Sequence, residues 1–181
     1  MKIHDYLSKM KGGAKKLPSA GFTELFWSWT GSVIGIGICS YLSAQFFEPN
    51  DLMLMIASFG ASAVLVYGVI MSPLAQPRNL IGGHIVSGLV GVVCYQLCGS
   101  TVWLASALAV SLAIVSMMLT KTLHPPGGAT ALIAVIGGPK VHALGFLYPF
   151  VPAGLGALII LVVALLVNNL SENRRYPEYW F

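Results

Sequence analysis

The residues best suited to chemistry are few, and they stand among apolar neighbours. His124–Gly128, HPPGG, lies inside Leu123–Ala131, LHPPGGATA. Pro125 disfavours helix at His124, and Pro126 disfavours it at Pro125. Pro126 itself suits the first position of a helix, where an amide N–H is not needed. A helix is therefore expected to begin there. The amides of Gly127, Gly128, Ala129 and Thr130 would then lack intrahelical partners. Bare glycine backbone allows close approach, and the aligned peptide dipoles make this end electropositive. The combination suits a small anion. The same residues also fit a packing role, ending one helix and drawing the next close.

Ser58–Ser62, SFGAS, repeats the pattern more weakly, with Gly60 and Ala61 at a helix start and Ser62 as the counterpart of Thr130. Both hydroxyls can donate. His124 can donate to an anion, carry a proton or cap the preceding helix. His84 follows Gly82 and Gly83 at the start of an apolar run, which suits an interfacial position or an entrance. Arg78 and Asn79 close the polar stretch Ser72–Asn79, SPLAQPRN, where they can attract anions or fix orientation. Asn168 and Asn169 fit hydrogen bonds across helices or an interface, and His4 and His142 read as surface residues. Cys39, Cys94 and Cys98 fall in apolar runs and read as small buried residues. His84, His124 and Cys94 make no metal-ligand spacing on one element, so neither metal nor cofactor is expected.

These residues must be positioned by a very apolar chain. Of its 181 residues 56% are hydrophobic and 9% charged, with a mean hydropathy of +0.80. A soluble domain carries about 25% charged residues, so this composition predicts an integral membrane protein forming one bundle in a lipid bilayer. The net charge of +4 gathers near the ends, in Lys2, Lys9, Lys11, Lys15, Lys16, Arg174 and Arg175. Basic flanks of this kind fix topology, and no nucleic-acid reader motif accompanies them. No cleavable signal peptide is expected, since the first apolar run starts late, near Leu25.

Gaps between charges predict six elements: Glu24 to Glu48, Asp51 to Met71, Ile81 to Leu97, Val102 to Leu119, Pro126 to Gly137 and Leu147 to Leu170. The fifth has only 12 residues, against about 20 for a helical crossing. The second and fifth are thus expected to be broken or half-length helices, with irregular backbone buried in protein. With the N-terminus inside, nine basic residues fall on the cytoplasmic side and Lys140 alone faces out, beside Glu48 and Asp51. This predicts a basic cytoplasmic segment over 1–23, one transmembrane domain over 24–171 and a cytoplasmic tail over 172–181. Were both short elements re-entrant, four crossings would remain and Arg78 would move outside.

The halves also resemble each other. Gly60–Leu65, GASAVL, echoes Gly128–Ile133, GATALI, and Gly88–Gly91 echoes Gly154–Ala157, at offsets of 68 and 66 residues. The fold class expected is an all-α membrane bundle of two inverted three-element repeats, about 24–98 and 101–171, with the short helices meeting at a midplane site.

Four blocks in order, SFGASAVLVYG, SPLAQPRNLIGGH, LTKTLHPPGGATALIAVIGG and NNLSENRRYPEYW, resemble the HPP family of integral membrane proteins, from about Trp27 to Trp180. The family is named for the tripeptide at His124–Pro126. It is often described as having four transmembrane segments, fewer than the six elements counted from charge. The resemblance implies nitrite transport, and it implies no residue roles. The expected function is therefore transport of a small monovalent anion, nitrite by resemblance, across a bacterial inner membrane. Gly60, Ala61, Ser62, His124, Gly127, Gly128, Ala129 and Thr130 would bind it, and Arg78, Asn79 and His84 would stand at an entrance. A homo-oligomer would suit the small-residue content. A non-transporting scaffold or regulatory subunit is one alternative. A membrane-embedded enzyme using His84 and His124 is another, disfavoured because no nucleophile, carboxylate pair or metal set accompanies them in the sequence.

Overall fold

The computed structural model describes residues 19–181; the N-terminal lysines and His4 lie outside them. Every regular element of the described chain is a helix, with no strand. α1 (Phe22–Leu42) continues through a wider and then a tighter turn to Asn50. α2 (Ser58–Gly68) is short and follows a stretch without helix. α3 (Pro77–Cys98) and α4 (Val102–Leu119) are long, and α5 (Pro125–Ile136) has 12 residues. α6 (Pro139–Leu144) turns away from α5 at 96°. α7 (Leu155–Val167) lies within the longer stretch Pro149–Leu170. Among the described residues four helical stretches are long and apolar enough to cross a membrane: Phe22–Asn50, Pro77–Cys98, Val102–Leu119 and Pro149–Leu170. Their outer faces carry bare apolar side chains such as Trp29, Trp103, Leu112 and Leu166, as a lipid-facing surface requires.

The polar contacts define two ends. At one, Arg174 meets Glu24 at 3.2 Å and donates to Tyr67 O, Ser28 Oγ and Asn168 Oδ1. Arg78 donates there to Thr120 O. At the other, Lys140 Nζ lies 2.6 Å from Asp51 Oδ1, and Tyr95 stacks on His142. The second element thus runs from Asp51 at one end to Gly68 at the other, partly extended and partly helical. The fifth runs from Lys121 back to Lys140 in the same way. Extended residues rise roughly 3.3 Å and helical ones 1.5 Å, so each mixed segment is roughly 30 Å long, the thickness of a bilayer core.

Several element boundaries differ from those expected. α3 starts at Pro77, not near Ile81, because Pro77 occupies the first helical turn. Arg78 and Asn79 therefore belong to a helix rather than a loop, and His84 lies two turns inside α3 and fully buried, not at an interface. α5 starts at Pro125, one residue early. His142 is half-buried, with its Nε2–H donating to Val135 O, rather than lying free on the surface.

α2 packs at the centre. Tyr67 lies along Gly31 and Gly35 of α1, and a Cβ on Gly156 of α7 would collide with the Phe59 ring. Gly83, Ser87 and Gly91 of α3 form a stripe four residues apart, against which Gly127 and Ala131 of α5 fit backbone to backbone. The C-terminal end of α2 is closed from the tail: Asn168 donates to Val66 O and Arg174 to Tyr67 O. Arg174→Ala removes the donor shared by Tyr67 O, Asn168 Oδ1 and Glu24. It is expected to cost roughly 2–3 kcal/mol, read as a lower melting temperature in detergent. Arg174→Lys should recover only part, since a point ammonium cannot replace the guanidinium fork.

Candidate functional site

Five polar side chains meet where α2, α3 and the HPP segment cross: Ser58, Ser62, His84, His124 and Thr130, all fully buried. His84 bridges the two short elements. Its Nε2 lies 2.8 Å from Ser62 Oγ and its Nδ1 2.7 Å from Thr130 Oγ1. His124 Nε2 lies 2.9 Å from the same Ser62 oxygen, and its Nδ1 is 2.8 Å from Leu74 O. Thr130 Oγ1 donates to Ser58 Oγ at 3.0 Å. Phe59 stands edge-on to His84, and Tyr148 Oη donates to Thr130 O.

Local sequence explains the convergence. Ser58 and Ser62 are four residues apart and share a face of α2. Ser58 meets Thr130 while Ser62 meets His124, so α2 and the start of α5 lie side by side and antiparallel, overlapping by about their first turn. Each short helix runs away from the cluster toward an opposite end, and both electropositive starts face it. The two prolines hold residues 122–124 extended against Gly82 and Gly83; a Cβ on Gly83 would sit 2.5 Å from His124 Cβ. Asn79 anchors the same stretch by donating to Leu123 O.

Of the residues named from sequence, Ser62, His124, Thr130 and His84 come together. The others do not. Gly60 and Ala61 are exposed on the opposite face of α2. Gly128 and Ala129 line an apolar groove with Val110 and Ile114. Gly127 is consumed by packing on Gly83 and Ser87. Successive helical residues turn about 100°, so a run of them cannot face one point. The expected free amides are also largely engaged: Pro125 and Pro126 have none, Gly127 N donates to His124 O, and Phe59 N and Gly60 N donate to the preceding turn. Arg78 and Asn79 hold α3 to residues 120–123 rather than standing free. Ser58, Tyr148 and Leu74 O were not in the expected set. The four-residue spacing of Ser58 and Ser62 carried a signal for the first; a backbone carbonyl such as Leu74 O carries none. Among the described residues no group of three or more His, Cys, Asp or Glu could hold a metal.

A buried hydroxyl–imidazole array at the start of two half-helices, built on HPPGGAT, invites comparison with known proteins. The HPP transmembrane-region model matches residues 17–177. The chain belongs to the HPP transmembrane family. Two curated transmembrane proteins of Dictyostelium discoideum are similar to it, one 46% identical over 97% of this chain and the other 44% identical over all of it. This HPP chain spans 57% and 65% of their respective lengths. No solved structure matches it.

Proposed function

We propose that this HPP protein carries a small monovalent anion across a membrane through the Ser58–Ser62–His84–His124–Thr130 centre, with nitrite as the substrate the family resemblance implies. The observation that carries the reading is this cluster of buried hydroxyl and imidazole groups, placed between two short helices and fully enclosed. Hydroxyl and imidazole N–H groups can replace the hydration of a small anion without a buried lysine or arginine, whose burial is costly. The long–short–long element order, occurring twice, and the antiparallel short helices favour inverted repeats working in alternation. Arg78, Lys121 and Arg174 gather at the end that holds both described termini, so that end is proposed to be cytoplasmic. A bacterial inner membrane is the proposed location, and small-residue surfaces suit a homo-oligomer.

Uptake of nitrite into proteoliposomes tests the reading. Thr130→Val should lower the rate at least about tenfold, since it leaves buried partners unpaired. Gly128→Leu points into the apolar groove, where a Cβ would meet only Val110 Cγ1 at 3.9 Å. It should change the rate by no more than about twofold. Absence of uptake above protein-free liposomes would remove nitrite, and absence of thermal stabilisation by any small anion in detergent would favour a scaffold.

One observation favours a second reading. Ser62 Oγ lies within hydrogen-bond reach of two imidazoles, the spacing of an activated nucleophile. No described carboxylate orients either ring, and the hydroxyl is sealed from solvent. Labelling of Ser62 by a fluorophosphonate, lost in Ser62→Ala, would move the protein to the enzymes.

A further inference from the structure

The hydrogens of the polar centre can be counted. Leu74 O only accepts, so His124 Nδ1 carries a hydrogen. With Thr130 donating its hydroxyl hydrogen to Ser58 Oγ, it accepts from His84, whose Nδ1 then carries a hydrogen as well. A neutral imidazole has one N–H. Both Nε2 atoms are therefore bare, and both lie within 2.9 Å of one Ser62 hydroxyl that has a single hydrogen. That arrangement is completed by one added proton; the alternative, with Thr130 donating to His84 Nδ1 and His84 carrying its hydrogen on Nε2, is complete while neutral.

We propose that the Ser62-bridged pair His84 and His124 carries one transferable proton, which travels with the anion and neutralises it. The proposal rests on the anion reading above. With the proton on His84, Nε2–H donates to Ser62 Oγ and Ser62 O–H donates to His124 Nε2, so every group is satisfied. Transfer breaks the His84 Nε2–H bond as a new Ser62 O–H bond forms. The former Ser62 O–H bond breaks as His124 Nε2–H forms. The positive charge passes between the rings and no electrons change owner. The transfer is reversible, and from His84 the Nδ1–H bond breaks as a bond from that hydrogen to the bound anion's oxygen forms. In the unloaded array Thr130 turns its hydroxyl from Ser58 to His84 Nδ1. His84 then holds its hydrogen on Nε2, and the neutral chain is again complete. The ring centroids are 5.2 Å apart, close enough that a second positive charge is opposed by the first.

No other ionisable group competes for this proton among the described residues. Glu24 is on Arg174, Glu48 against Ser43, and Asp51 on Lys140; Glu172 and Glu178 lie in the tail. From α2, Tyr67 points to α1 and α7, with its Oη donating to Ile160 O. Tyr148 is engaged with Thr130 O, and α4, α5 and α7 contribute no ionisable side chain. From α3 and its neighbours, Arg78 is held on Thr120 O, Cys94 and Cys98 lie at the far end, and Lys121 is exposed.

The test uses the full chain in proteoliposomes loaded with a pH-reporting dye, an inward nitrite gradient and a membrane potential clamped with potassium and valinomycin. Protein-free liposomes correct for nitrous acid permeation. The expected result is one proton entering per nitrite, at a rate that does not follow the clamped potential. Ser62→Ala should lower proton entry at least about tenfold, and Ser62→Thr, which keeps the bridging hydroxyl, should restore most of it. Nitrite entry that follows the potential without lumen acidification overturns the proton while leaving the anion reading intact. If no protein-dependent nitrite entry occurs, the anion reading fails and ¹⁵N-histidine NMR of the wild type in bilayers decides the proton. A titration in which His84 and His124 together take up one proton supports the shared site, and one in which neither does overturns it.

Discussion

Gly91→Leu is expected to abolish a stable fold. A Cβ at Gly91 would lie 2.5 Å from Ala131 O and 2.8 Å from Ala131 Cα and Ala134 Cβ. The nearest of these neighbours are backbone atoms of α5, which cannot swing aside as a side chain would. Leucine adds three further carbons and forces α3 from α5 along the Gly83–Ser87–Gly91 stripe. Overpacking of this kind costs about 1–3 kcal/mol, and more where backbone must move. The melting temperature in detergent should fall by about 10 °C or more, or the protein should fail to elute as one species. Gly37→Leu is the control, because a Cβ there meets nothing within 4 Å. Wild-type melting of Gly91→Leu would mean that α3 and α5 do not pack through this stripe. Uptake should fall with stability, since α5 carries Thr130 and its displacement breaks the contact with His84.

The elements were legible because charge is so scarce. Val102–Leu119 could be bounded to the residue, and the short fifth element showed itself through its prolines and glycines. α3 was harder. Pro77 gives the same helix-start signal as the HPP prolines, but Gln76, Arg78 and Asn79 around it look like loop. Starting the helix four residues late moved His84 from the buried centre to an expected interface. The free backbone amides expected at the two helix starts are not met in the structure. Proline removes two donors and tight turns consume others, leaving hydroxyl and imidazole groups as the polar content of the site. Their meeting could not be read from spacing. His84 and Thr130 are 46 residues apart and Ser58 and Thr130 are 72 apart, so only packing brings them within 3 Å. The role of Arg174 was hidden for a related reason: a basic residue in a tail signals orientation, whereas its place on Tyr67 O depends on where α2 ends.

His84 should give the largest functional effect of any side chain in the centre. It is the link through which Ser62 of α2 and Thr130 of α5 share one group, and its ring also packs edge-on to Phe59 at 5.5 Å. His84→Ala removes two hydrogen bonds at once and leaves two hydroxyls buried against space. At about 1–1.5 kcal/mol for each lost bond, nitrite uptake should fall by about 100-fold. Part of that loss is structural, so His84→Gln separates the roles. Glutamine keeps much of the volume and can pair with one of the two hydroxyls, so the protein should still elute as a single species and keep most of its melting temperature. It cannot accept and pass a proton near neutral pH, so uptake should remain low and should no longer respond to an imposed pH gradient. Uptake by His84→Gln equal to wild type would make the imidazole a tie between α2 and α5, and would place anion movement elsewhere in the bundle. Low uptake from a folded His84→Gln protein, with full uptake from Gly128→Leu, would instead separate the buried centre from the outward face of the same HPPGG motif.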